Sequence, residues 1–366
     1  MVMKTKKRFV LWDSIIILVL FAISVYLFYL AAAWGISDYL ADNAYRDYVT
    51  GPGVHWENLI LSLSFGLLLA VVNAWSDTPR VRRLPVGSII VLKSLLYLLS
   101  FAFACTCVML VFRLFLFSPE ELASIIGSTT PKFLISASLW LTMCILMINF
   151  IMEVRRKVGP GNLSALFTGY YRHPRMQDRI FLFLDLKAST TIAERLGPEK
   201  YSRFLRQCYY DLNEVVLDYR AQIYQFVGDE VVLSWKNQVR DTPLQSLRAF
   251  FDFKEKLSSR KALYEKKYGV VPLFRGGIDA GVVTATEVGD IKREIAYHGD
   301  PLNTAARLLE LSKTYGDRLV ISGKMKDEIS NAAEFIFDYQ GEIQPRGKTE
   351  KVAIYTVRND KLGSLS

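Results

Sequence analysis

Cysteine is scarce: the 366 residues hold four, Cys105, Cys107, Cys144 and Cys208. No disulfide framework follows from them, and the first three lie in apolar runs, where cysteine acts as a small hydrophobe. Cys105-Thr-Cys107 is too tight for a structural zinc pair, and Cys208 sits in an apolar-periodic helix and reads as core. Charge is missing as well, but only from one half. Before about residue 153 long uncharged runs dominate, and after it charged residues recur every few positions. Internal repeats and low-complexity tracts are absent. The formal charge of +9 comes with neither zinc-finger spacing nor an aromatic-basic stacking motif, so nucleic acid is not an expected partner.

The excess charge lies instead beside the apolar runs. Ser14 to Ile36, Asn58 to Ser76, Leu84 to Phe112 and Phe133 to Met152 are each long enough for a membrane-spanning helix. The first lacks a small-residue cleavage site before Tyr39, which argues against a signal peptide. Lys4, Lys6, Lys7 and Arg8, then Arg80, Arg82 and Arg83, then Arg155, Arg156 and Lys157 all fall on one side of these four spans. That side is the cytoplasm by the positive-inside rule. The other two loops carry acids. A multi-pass protein of the inner (plasma) membrane is expected, with both termini and the soluble half cytoplasmic and lipid as a partner. Lys93, close after Arg83, is expected to snorkel to the cytoplasmic face, and Trp12, Trp34, Trp56 and Trp75 to anchor span ends. The domain boundaries expected are 1–153 for a four-helix transmembrane domain, 154–178 for a linker around Gly159-Pro160-Gly161, 179–358 for a catalytic domain and 359–366 for a polar tail.

In the soluble half, Arg179 to Asp185 is a short apolar run ending in a carboxylate, as expected of a buried central strand opening into a site. Leu186 to Thr190 leads into a helical pattern that reaches about Tyr219 and breaks at Gly197-Pro198. Ala221 to Trp235 reads as strand, turn, strand, with Gly228-Asp229 at the tip. The pattern predicts a helix over 242–268, strands over 273–284 and 292–297, a helix over 301–311, and strands over 318–322 and 352–357. This order is that of a ferredoxin-like α+β sandwich.

Asp185 and Asp229 end adjacent strands, where paired carboxylates can hold two divalent cations against a triphosphate. Each alone is more often a turn residue or helix cap. Asn303 and Arg307, four apart, share one helix face, and an amide and a guanidinium there suit a ribose and a phosphoryl group.

At these residues the chain resembles the class III adenylyl and guanylyl cyclase family, over roughly Arg179 to Val357. Phe183-Leu-Asp185 with Ser189-Thr190 is similar to its first metal motif, Val227-Gly228-Asp229 to its second, and Gly299-Asp300-Pro-Leu-Asn303-Thr-Ala-Ala-Arg307 to its transition-state helix. The resemblance implies an α+β class III cyclase domain on a four-helix transmembrane bundle. The reaction implied is conversion of ATP to 3′,5′-cyclic AMP and pyrophosphate by an adenylate cyclase. Asp185, Asp229 and the backbone carbonyl of Leu186 would hold two Mg²⁺ or Mn²⁺ ions per site, and Asn303 and Arg307 would be catalytic. Ser189, Thr190, Gln225, Gly228, Ala296 and Lys348 would bind the nucleotide, with Lys348 in the late basic turn from Pro345. The unit implied is a homodimer whose partners complete each other's site.

Gln225 and Ala296 depart from the lysine and the aspartate or threonine with which many adenylyl members read adenine. Gln225 can both donate and accept, which suits several bases, so a cyclase of GTP or a pyrimidine nucleotide stays open. Glu294 and His298 lie nearby. Val227 to Val231 is superficially similar to a diguanylate cyclase hairpin, but the Asn303 to Arg307 helix argues against that. A catalytically silent cyclase-like membrane receptor is the remaining alternative.

Overall fold

The computed structural model describes residues 3–35, 53–76, 81, 84, 86–115, 120, 131–158, 165, 168–316, 318–329, 332–344 and 351–359. The chain divides into two compact units that part between Val158 and Gly159.

The first unit is built of four long helices, α1 (Met3–Gly35), α2 (Gly53–Ser76), α3 (Val86–Phe115) and α4 (Pro131–Val158). Each contains a window of at least 18 residues long and apolar enough to cross a membrane, and that length of helix rises about 27 Å. Ile17 and Phe21 of α1, Phe65 and Leu69 of α2, Tyr97 of α3 and Leu141, Ile145, Ile148 and Met152 of α4 form the shared core. Outward positions are apolar too, with Leu99, Leu139 and Phe150 each about two-thirds exposed, the all-round apolarity expected of lipid-facing helices.

Lys93, expected to snorkel, is 7% exposed and its Nζ donates to Asn73 Oδ1 at 3.1 Å, an amide within reach that satisfies the ammonium inside the bundle. Asp13 pairs with Arg155 at 2.6 Å, with both side chains largely buried. These contacts join the start of α1 to the end of α4 and the end of α2 to the start of α3, which places all four polar residues toward one end of the bundle.

The second unit opens with β1 (Arg175–Leu186), α5 (Ser189–Leu196), α6 (Pro198–Asp218), β2 (Gln222–Val227) and β3 (Glu230–Lys236). It continues with α7 (Thr242–Ser259), α8 (Lys261–Tyr268), β4 (Phe274–Val288), β5 (Glu294–His298) and α9 (Asp300–Ser312). It closes with β6 (Leu319–Ser322), α10 (Gly323–Asp327), β7 (Phe335–Ile343) and β8 (Val352–Asn359). The sheet order is β2-β3-β1-β4-β6-β8-β7, with β5 paired to the far end of β4. β1 is antiparallel to both its neighbours, and β4 runs parallel to β6.

β1 is central and covered on both faces, which is why it reads as a continuous apolar run rather than an alternation. Ile180, Leu182, Leu184 and Leu186 pack with α5 to α8, whereas Phe181 and Phe183 pack with α9 and Tyr297. α9 lies directly on β4 at Gly277: a Cβ there would stand 2.3 Å from Leu309 N and 2.4 Å from Ala305 O.

Regular structure enters the expected linker from both ends, since α4 runs on to Val158 and β1 begins at Arg175, where its backbone already pairs with β4. The helix expected over 242–268 breaks in two at Arg260. β7 carries no clear signal in the sequence. It is an edge strand, its pairing with β8 shifts at Gly341, and edge strands bury too little to show a clean apolar alternation.

Candidate active site

Asp185 lies near the end of β1 with Glu230 of β3 on one side and Arg275 of β4 on the other. The Arg275 Nε donates to Asp185 Oδ2 at 2.9 Å, and Nη2 donates to the same oxygen. Asp229 occupies the two-residue turn between β2 and β3, which Val227 and Glu230 close. Gly228 supplies the positive φ of 61° that such a turn requires.

The turn brings Asp229 near enough to Asp185 for its charge to act on that carboxyl. Burial pushes the Asp185 carboxyl above its usual range, Arg275 pulls it back, and the Asp229 charge adds to the rise. Burial, then Asp185 and Asp229, also raise Glu230. Repulsion of this kind marks a place where positive charge is needed.

Between Asp185 and α5 the chain turns sharply, with Lys187 N donating to Leu273 O at 2.8 Å and Ala188 in the left-handed region at φ 54°. Ala188 stands at the N-cap, and no side chain caps α5. The first-turn N–H groups around Ser189 and Thr190 are thereby left for an anion.

Asn303 and Arg307 are exposed on α9, whose opposite face buries Thr304, Ala305, Leu308 and Leu309. Arg307 Nη1 pairs with Glu310 Oε2 at 2.6 Å on the same helix. The described contacts link neither Asn303 nor Arg307 to the aspartates of its own chain. Gln225 is exposed on β2 opposite Val232, and Ala296 lies on β5 opposite Thr286. Lys348 and its turn lie outside the described residues.

Four side chains join the site without having been singled out from the sequence for a role. Arg275 and Glu230 become visible only through strand register. Tyr201 and Tyr209 of α6 both feel the Asp229 and Asp185 charges; burial first, and then those charges, push Tyr201 up to about 12. An arginine opening a buried strand is the one local signal that could have marked Arg275.

The donor set suits divalent cations: two adjacent carboxylates that repel each other, in an oxygen-rich setting with the Leu186 carbonyl next in the chain. Among the described residues no group of three or more metal-ligating side chains forms, so a cation here would draw its remaining ligands from backbone, water or substrate, as magnesium commonly does.

Residues 172–359 match the adenylate and guanylate cyclase catalytic domain. The chain is 32% identical over 219 residues to adenylate cyclase 2 of Rhizobium meliloti (strain 1021), covering 60% of each protein. It is 30% identical over 206 residues to adenylate cyclase 1 of the same organism, covering 55% of this chain and 30% of that protein. An adenylate cyclase of Anabaena cylindrica is 24% identical over 204 residues, 55% of this chain and 40% of that one. The chain thus spans less than two thirds of the length of these relatives. A solved bacterial light-regulated adenylyl cyclase shares the fold, with a TM-score of 0.51 at 20% identity, covering 60% of this chain and 64% of that one. Since the matched domain takes up more than half of the sequence, the chain belongs to the adenylate and guanylate cyclase catalytic domain family.

Proposed function

We propose that this protein is a membrane-bound adenylate cyclase that converts ATP to 3′,5′-cyclic AMP and pyrophosphate. The observation that carries the reading is the approach of Asp229, from the β2–β3 turn, to Asp185 at the end of β1, beside the cationic Arg275. The relatives named adenylate cyclase favour ATP over other nucleotides. Gln225 and Ala296 leave GTP or a pyrimidine nucleotide as the alternative substrate, because an exposed amide pairs with more than one base edge.

In this reading Asp185, Asp229 and the Leu186 carbonyl hold two Mg²⁺ or Mn²⁺ ions, which supply neutralisation of the triphosphate and activation of the ribose 3′-hydroxyl. The uncapped start of α5, at Ser189 and Thr190, takes phosphate oxygens. Arg275, already beside Asp185, adds a fixed positive charge toward the same phosphates, and Lys348 a second. Asn303 orients the ribose, and Arg307 stabilises the negative charge that grows on the α-phosphate as the 3′-oxygen attacks and pyrophosphate leaves. Among the described residues no contact links Asn303 or Arg307 to the aspartates of their own chain, which supports completion of the site by the helix of a second copy. The four apolar helices anchor the pair in the inner membrane with the catalytic domains in the cytoplasm, a placement supported by the basic clusters at one side of the spans.

The test is to incubate full-length protein in detergent with ATP, GTP, CTP or UTP and Mn²⁺ or Mg²⁺, and to identify products by mass spectrometry. Cyclic AMP is expected, lost in Asp185→Ala and in Asn303→Ala. Mixing those two inactive variants is expected to restore about a quarter of the parental rate, since half the dimers are mixed and each holds one intact site. A different cyclic nucleotide would change the base and keep the mechanism. No cyclic product from folded dimer would favour a nucleotide-binding receptor without catalysis.

A further inference from the structure

Packing alone does not hold the tip that carries Asp229. Nothing lies within 4 Å of the place a Cβ would take on Gly228, and Phe226 and Val227 leading into it are 46% and 52% exposed. Tyr209 of α6 reaches the tip from outside the hairpin. Its hydroxyl donates to the Gly228 carbonyl at 2.8 Å, and its ring centroid lies 4.7 Å from that of Phe226. α6 is a fixed base for this reach, because Phe204, Cys208 and Leu212 on either side are fully buried in the main core.

We propose that Tyr209 is a positioning residue that fixes Asp229 against Asp185 and so sets the affinity of the carboxylate pair for divalent cations. The inference rests on reading those two aspartates as a cation-binding pair. The peptide unit is planar, so a hydrogen bond to the Gly228 carbonyl also sets the direction of the N–H of Asp229 and the start of its side chain. Two carboxylates that repel each other drift apart on a loose tip. On a tethered tip they stay at the separation a cation needs, and binding no longer has to order them first. A tyrosine that only filled space beside Phe226 would affect stability and leave cation affinity alone.

The experiment titrates Mn²⁺ into full-length protein in detergent with 3′-deoxy-ATP, which lacks the attacking hydroxyl, and reads bound Mn²⁺ by electron paramagnetic resonance. Melting curves without metal run in parallel. Tyr209→Phe, which keeps the ring, is expected to weaken Mn²⁺ binding about five- to tenfold, the scale of one lost hydrogen bond, with little change in melting. Asp229→Ala is expected to lose binding. Gly228→Ala, which strains the tip while Tyr209 stays intact, is expected to weaken it as well. Parental affinity in Tyr209→Phe, with Asp229→Ala impaired, overturns the role of Tyr209 and leaves the cation pair standing. Parental affinity in Asp229→Ala overturns the cation pair and this inference with it.

Discussion

Arg275 donates from Nε to Oδ2 of Asp185 at 2.9 Å, across the ladder between the central strand and its neighbour. Both side chains are mostly buried, at 13% and 17% exposed, so the guanidinium is the fixed counter-charge of the carboxylate pair. Arg275→Ala is expected to slow cyclisation by roughly ten- to a hundredfold, the scale of a lost charge-assisted contact. Arg275→Lys should recover only part of this, because an ammonium cannot repeat the forked geometry. Initial rates at saturating and limiting ATP check both.

On the proposed reading of Asp185 as a cation ligand, its raised carboxyl predicts a pH signature. Over a range above its ordinary value the folded protein keeps this proton while the unfolded chain has released it. Stability without cation therefore increases as pH falls into that range, and this contribution is lost as pH rises through the folded value. A cation competes with the same proton. The rise in melting temperature on adding Mn²⁺ and 3′-deoxy-ATP should thus grow as pH rises from the ordinary carboxylate range through the raised value of Asp185. A constant increment across that range would mean that Asp185 does not meet the cation.

Gly277 is where α9 rests on β4. A methyl there meets helix backbone at 2.3 and 2.4 Å, and neither partner can rotate away as a side chain does. Gly277→Ala is expected to destabilise the catalytic unit by about 2 to 3 kcal/mol and to displace Asn303 and Arg307. Thermal unfolding and the cyclisation rate should fall together.

In the helical unit, Asp13 and Arg155 tie the first helix to the fourth, the helix whose chain continues to the catalytic unit. Asp13→Ala alone should cost about 3 kcal/mol, since it takes a carboxylate away from a largely buried guanidinium. Replacing both residues by leucine should recover most of that loss. Melting of the detergent-solubilised protein through the double-mutant cycle measures the difference.

Local features of the sequence carried much of the architecture. The four long apolar runs, the apolar stretch of β1, the break at Gly197-Pro198 and the Gly228-Asp229 turn each depend on residues close in sequence, and most of the helices and strands form where that periodicity places them. The spacing of Asn303 and Arg307 likewise determined that they share a helix face. β7 escaped because its partner, not its own pattern, makes it a strand.

What the sequence by itself determined, then, is the division into an apolar helical half and an α+β half, and the residue types available for chemistry. The tertiary structure decided which of them meet. Arg275 reaches Asp185 across 90 residues, Tyr209 reaches the Gly228 carbonyl from another element, and Lys93 finds Asn73 on a neighbouring helix. Helical and strand periodicity is a property of short stretches of chain. Strand register and helix packing are settled by how buried faces fit together, and only that fit brings distant charges within a few ångströms of each other.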